Sequence, residues 1–232
     1  MVSHVTPPPP DRRPRDVRLV LVTDPRVRPD ELVARVAAVV AAVPAGHVIV
    51  QVRDRGMDGG PLLALVRSIQ ATGAVVWVND RLDVALAAGA AGVHLPERGL
   101  GVVVARRAAS ITGVGLAIGC SRHAAASASE VDAAEHPALI QLGPIWPTPS
   151  KAGVIEPLGP AVLAVRGTLS DRVHLVAVGG VVSAERAREA AAAGADAIAV
   201  IRAIWTADDP AAVAAALIAA VDDGRRTRVS NA

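Results

Sequence analysis

Lysine occurs once in this arginine-rich chain, at Lys151, and asparagine occurs only at Asn79 and Asn231. Asn79 stands at the end of a predicted strand, and Lys151 in the loop that follows another. An ammonium group is a compact point charge that suits phosphate oxygens, and a planar guanidinium does not reproduce it. Gln51, Arg53 and Arg55 follow at two-residue spacing, so on an extended segment they share one face. Asn79-Asp80, Glu97 and the run Cys120-Ser121-Arg122-His123 add amide, carboxylate, hydroxyl and imidazole groups. Gly179-Gly180 offers backbone N–H groups that an anion can approach closely. The set predicts binding of small phosphorylated molecules, with His123 suited to proton transfer or phosphate contact. Plainer readings stand beside these. Gly179-Gly180 is a tight turn, Asp80 caps a helix beginning at Arg81, and His123 caps or decorates the next helix. His94 is a satisfied core histidine, and Trp146 is a lid or wall residue.

The elements that must position these groups alternate regularly. Strand-length apolar runs occur at 17–23, 47–53, 74–79, 92–95, 115–119, 138–143, 173–179 and 197–201. Most are continuous Val/Ile/Leu stretches, the pattern of parallel strands covered on both faces. Helical stretches follow them at 30–43, 61–71, 81–88, 100–109, 122–134, 158–166, 183–193 and 210–221. Asp30 and Ser183 are predicted N-caps, and Gly89 and Gly194 are predicted left-handed helix ends. Eight such units predict an α/β fold, a single (β/α)8 TIM barrel spanning 17–222. A doubly wound open sheet is the runner-up, but no GxGxxG turn follows the first run. Residues 1–16, with Pro7 to Pro10, are expected to be a disordered leader, and 223–232 a frayed tail. In such a barrel, reactive groups lie at the C-terminal strand ends, where every group named above falls.

Composition narrows the class further. The 232 residues are 52% hydrophobic, with three Trp, no Phe and no Tyr, so Val, Ala, Leu and Ile must fill the core. The formal charge of +2 and arginines scattered among few aromatics argue for solvated helix faces and against a nucleic-acid surface. The single Cys120 excludes an intrachain disulfide and favours a reducing, cytoplasmic setting. No apolar run is long enough to span a bilayer, so no membrane partner is expected. A homo-oligomer is left open.

The ordered motifs carry a resemblance. They are Leu21-Val22-Thr23-Asp24, VQVRDRG from Val50, VNDRLDVALAAGAAGVHL from Val78, IGCSRH from Ile118, LGPIWPTPSK from Leu142, VAVGG from Val176 and AGADAIAVIRAI from Ala193. Together the set resembles the thiamine phosphate synthase and thiazole tautomerase (TenI-like) superfamily. The resemblance implies an enzyme of thiamine biosynthesis, a transferase joining hydroxymethylpyrimidine diphosphate to a thiazole phosphate with release of pyrophosphate. By matching positions, Gln51, Arg53, Arg55, Asn79, Ser121 and Lys151 would hold the pyrimidine diphosphate. Thr148 and Ser150, with Gly179, Gly180, Val200 and Ile201, would hold the thiazole phosphate. Lys151, Ser121 and His123 are the catalytic candidates, and Asp80 would bind Mg²⁺.

Two departures matter. Arg55 stands where the synthase usually has lysine, and the second metal-binding aspartate falls on Gly99. Glu97 is the candidate substitute ligand. The tautomerase branch accommodates both changes, and there the resemblance implies metal-free aromatisation of a thiazole carboxylate phosphate with His123 as acid–base. Against this, Asn79-Asp80 and the Pro147-Thr148-Pro149-Ser150-Lys151 loop resemble the synthase. The third reading is a non-catalytic binder of thiamine or thiazole phosphates.

Overall fold

The computed structural model of the chain describes residues 16–148 and 156–230. Ser150, Lys151 and nearly all of the leader lie outside the described residues. Eight parallel strands close on themselves in sequence order: β1 (Leu19–Val22), β2 (Val48–Val52), β3 (Val75–Asn79), β4 (Gly92–Leu95), β5 (Ala117–Arg122), β6 (Leu139–Leu142), β7 (His174–Val178) and β8 (Ala197–Val200). β8 pairs with β1, matching Leu21 with Val200, so the predicted barrel is the observed one.

Alternation along each strand divides the apolar residues between two layers. Leu19, Leu21, Val50, Val52, Val93, Leu95, Ile140 and Leu142 face the helices and form the larger core. Val20, Ile49, Trp77, Leu139, Val176 and Ala197 face the lumen. Trp77 supplies bulk that the missing Phe and Tyr would otherwise provide. Its ring fits only because its neighbours are glycines. A Cβ at Gly92 would lie 2.5 Å from the indole, and one at Gly119 would lie 2.7 Å from it. The lumen is therefore a packed interior.

Around the barrel run α1 (Pro29–Ala42), α2 (Gly59–Gln70), α3 (Leu82–Ala88), α4 (Val102–Ile111), α5 (Ala125–Glu135), a 3-10 segment (Pro160–Thr168), α6 (Ala184–Ala193), the short α7 (Arg202–Trp205) and α8 (Pro210–Ser230). Ser183 caps α6 as predicted, its Oγ accepting from Arg186 N at 3.3 Å. Gly89 ends α3 at φ 60°. The predicted Asp30 cap is corrected. Arg28 is the N-cap and Pro29 opens α1, because proline's fixed φ and missing N–H suit the first helical position. Asp80 does not cap α3, whose N-cap is Arg81.

Two further boundaries move. β5 runs on to Arg122, held by Ser121↔Gln141 and Arg122↔Leu142 pairing with β6, so Ser121 lies on a strand. The expected frayed tail is also corrected, because 223–230 continue α8. Gly224 is the reason the helix can pass there: a Cβ would lie 2.3 Å from Arg188 O on α6. Beyond it Arg225 Nη1 donates to Asp196 O at 3.0 Å, and Arg228 Nη2 donates to the Asp196 carboxylate at 3.2 Å. These bonds pin the end of α8 beneath the barrel.

Candidate active site

Parallel strands deliver all eight C-terminal ends to one mouth, and lumen-facing positions just below it form its floor. That floor is polar. Gln51, Asn79, His94, Ser121 and Gln141 occupy the inward alternation of β2 to β6, against the apolar Trp77 layer below. Gln141 Nε2 donates to Gln51 Oε1 at 2.6 Å, and Gln51 Nε2 donates to Asn79 Oδ1 at 3.1 Å. This amide relay fixes Gln51, which is only 3% exposed, and leaves the Asn79 amide N–H₂ to face the mouth. His94 Nε2 and Ser121 Oγ lie 2.8 Å apart on the neighbouring strands β4 and β5. Cys120 alternates outward into the helical layer, where burial pushes its thiol up to about 12, so it is no nucleophile.

The exit of β2 is built by Thr23. Its hydroxyl accepts from Arg53 N at 2.8 Å and donates to Arg53 O at 3.2 Å. Asp54 then turns the chain, its Oδ1 accepting from Gly56 N and Met57 N. Arg53 is half-buried and Arg55 exposed; among the described residues neither guanidinium is salt-bridged or hydrogen-bonded to a carboxylate, and Asp54 and Asp24 act on Arg53 only through their charge. Burial, and then the charge of Arg55, pulls the Arg53 pKa below the ordinary arginine value. Two cations thus share the rim, and an anion between them would relieve their repulsion. Asp24 offsets this repulsion only at a distance, because its carboxylate chelates Arg26 at 2.9 and 2.5 Å.

On the opposite arc the loops after β6 and β7 are pressed together. Ile145 N donates to Val178 O at 2.9 Å, and Trp146 N donates to Gly179 O at 3.1 Å. Gly179 and Gly180 take φ of 95° and 71°, the left-handed region that favours glycine. Side chains are also excluded by space: a Cβ at Gly180 would lie 2.6 Å from Trp146 Cβ, and one at Gly143 would lie 2.0 Å from Val178 O. Trp146 and Pro147 therefore lie against the Gly179-Gly180 turn.

Residues 19–204 match the family described as thiamine monophosphate synthase. The chain belongs to that family. The thiamine-phosphate synthase of Mycobacterium tuberculosis (strain ATCC 25177 / H37Ra) is 38% identical over 230 residues, covering 91% of this chain and 97% of that protein. The enzyme of the same name from Mycolicibacterium smegmatis is 39% identical over 194 residues, covering 78% and 83%. The solved thiamine phosphate pyrophosphorylase from Pyrococcus furiosus superposes with a TM-score of 0.76 at 25% identity, covering 91% of this chain and 98% of that one.

In this member of the thiamine monophosphate synthase family the carboxylates at the mouth are engaged differently. Asp80 has a positive φ of 64° and is anchored by its N–H donating to His94 O at 2.8 Å, while its exposed carboxylate has no ion pair or hydrogen bond among the described residues. Glu97 is engaged. Its carboxylate pairs with His123 Nδ1, accepts from His123 N at 3.3 Å and lies 3.5 Å from Ser127 Oγ. Burial raises the Glu97 pKa, but the hydrogen bond and charge of His123 outweigh it, and the net shift is downward. Gly99 sits under Pro96, whose ring would lie 2.8 Å from a Cβ. Among the described residues no three His, Cys, Asp or Glu side chains converge on a metal position. A single free carboxylate still fits Mg²⁺, which keeps several waters and takes substrate phosphate oxygens beside one or two carboxylates.

Gln141 was missed in the sequence. The signal was present: a glutamine two residues from Leu139 and Gly143, inside a four-residue apolar strand. The Glu97–His123 pair spans 26 positions and left no local trace. No helix among the described residues is long and apolar enough to cross a membrane.

Proposed function

We propose that this chain couples hydroxymethylpyrimidine diphosphate to a thiazole phosphate, releasing pyrophosphate. One observation carries the reading: Arg53 and Arg55, which make no salt bridge among the described residues, stand above an uncharged amide floor, across the mouth from a glycine turn that tolerates no side chains. The amides Gln51 and Asn79 suit a flat heteroaromatic ring with donors and acceptors on its edge. The two arginines suit the diphosphate, with Ser121 and Lys151 on the same substrate. Thr148 and Ser150, with the backbone of Gly179, Gly180, Val200 and Ile201, suit the single phosphate of the thiazole. In the reaction the bond between the pyrimidine methylene carbon and the diphosphate oxygen breaks. The thiazole nitrogen gives its lone pair to that carbon, and pyrophosphate departs with the bonding electrons. Fixed cationic donors around the leaving group lower this barrier because they need no reorganisation as charge develops. Bound Mg²⁺ supplies further charge neutralisation at the diphosphate, and Asp80 is the residue that would hold it. A cytoplasmic setting suits such substrates.

A second reading rests on His123. Its Nδ1 is fixed by Glu97, and its Nε2 has no hydrogen-bond partner among the described residues, which is the geometry of an oriented general base. This supports metal-free thiazole tautomerisation.

A paired assay separates them. Coupling predicts pyrophosphate release from both substrates in Mg²⁺ and its abolition by EDTA. Tautomerisation predicts EDTA-insensitive aromatisation lost in His123→Ala. Tight binding of the phosphates without turnover in either assay would reject both.

A further inference from the structure

His94 sits in the lumen and is 1% exposed. Its ring lies between the Trp77 layer and the mouth, and the facing strand position is Gly119. A Cβ at Gly119 would come within 3.3 Å of His94 Nδ1, so the glycine makes room for this ring as well as for Trp77. His94 Nε2 is 2.8 Å from Ser121 Oγ. Nδ1 is buried, and no hydrogen-bonding group among the described residues reaches it. A ring buried this completely, bonded only to a hydroxyl and with no carboxylate partner among the described residues, is neutral.

A neutral imidazole has one N–H, and the two choices are unequal. With the proton on Nδ1, a donor would be buried without an acceptor, the rarer and costlier kind of orphan. With the proton on Nε2, the N–H donates to Ser121 Oγ, and Nδ1 is a bare lone pair that loses only an accepted bond. The second arrangement wins. A serine hydroxyl has one proton and two lone pairs. Once Nε2–H occupies a lone pair, the Ser121 proton is free for another acceptor. His94 is the only hydrogen-bond partner of Ser121 Oγ among the described residues, and that oxygen stands beside the Gln141–Gln51 relay at the mouth.

We propose that His94 is a positioning residue: its Nε2–H fixes Ser121 Oγ as a donor, aimed at an acceptor atom of the pyrimidine diphosphate. The claim rests on the coupling function proposed above. It adds that Ser121 does not act as a base, since the residue behind it presents an N–H donor and no acceptor to the hydroxyl. The same histidine holds the loop of Asp80 through its carbonyl, at 2.8 Å from Asp80 N, so one buried residue orients groups on two strand ends.

The first test is nitrogen-15 and proton NMR of the histidine rings in the full-length, ligand-free protein at pH 7. The expected result for His94 is a protonated Nε2 and an unprotonated Nδ1. The opposite tautomer, or a charged ring, overturns the inference. The second test is a double-substitution cycle in the coupling assay. Ser121→Ala and His94→Leu are each expected to slow coupling on the order of 10-fold, the scale of one lost hydrogen bond. In the Ser121→Ala background, His94→Leu should add less than about 2-fold, because residues acting as a unit are not additive. His94→Gln, which keeps an N–H donor, should recover part of the loss. Losses that multiply independently would overturn the proposal. Wild-type protein inactive in coupling would instead overturn the function on which it rests, and the NMR result separates the two failures.

Discussion

The guanidinium of Arg186 lies 5.3 Å from the centroid of the Trp146 ring while its Nη1 donates to Gly180 O at 2.6 Å. One α6 side chain therefore ties the loop after β6 to the loop after β7, from behind the turn proposed to hold the thiazole phosphate. The stacking is worth about 1 kcal/mol and the charge-assisted bond about 1.5–3 kcal/mol. Arg186→Ala should raise KM for the thiazole phosphate on the order of 10-fold and change kcat by less than about 3-fold. Steady-state kinetics with the thiazole phosphate varied will check this; a fall confined to kcat would contradict it.

Gly143 makes a harder constraint. A methyl group there would overlap the Val178 carbonyl, which already accepts from Ile145 N. Gly143→Ala should destabilise the fold by about 3 kcal/mol, at the upper end of overpacking costs. Thermal unfolding should register a drop on the order of 6–12 °C.

Carboxylates at the mouth divide their labour. Asp80→Asn should raise the Mg²⁺ concentration giving half-maximal coupling by about 10-fold or more, since the charge left to hold the ion would come only from substrate. Glu97→Gln should shift that concentration by less than about 2-fold, because the Glu97 oxygens are directed at His123 and Ser127. Metal titrations of both variants will decide. Equal shifts would place Glu97 at the metal.

Buried histidines give the stability curve an acid limb. His94 falls from 6.5 in the unfolded chain to about 3, and burial also lowers His174. Between those values the unfolded chain binds more protons than the folded one. The His94 contribution is therefore full above pH 6.5 and lost as pH falls towards 3, by about 1.4 kcal/mol per pH unit, and His174 acts in the same direction. Urea unfolding at pH 8 and pH 5 should show the wild type losing about 2 kcal/mol more than His94→Gln over that interval. Equal losses in the two proteins would remove His94 from the explanation.

Most of this barrel is legible in the sequence because its strands are doubly covered and its glycines are positional. Gly89 marks the end of α3, Ser183 marks the start of α6, and Gly179-Gly180 marks a turn that accepts no other residue. What escaped depends on contacts between distant segments. The Asp222-Asp223-Gly224 run looks like a helix stop, yet Gly224 is the residue that lets α8 cross α6 and reach Asp196. Ser121 reads as a loop residue until β6 is seen to extend the pairing of β5. Glu97 reads as a free carboxylate until the fold brings His123 beside it.

Because the chain has no Tyr or Phe and two of its three indoles, Trp77 and Trp205, are almost wholly enclosed, Trp146 is the one tryptophan that water can readily reach. The protein thus carries its own optical probe at the rim. Acrylamide quenching of its emission would report the docking of each phosphorylated ligand without any added dye.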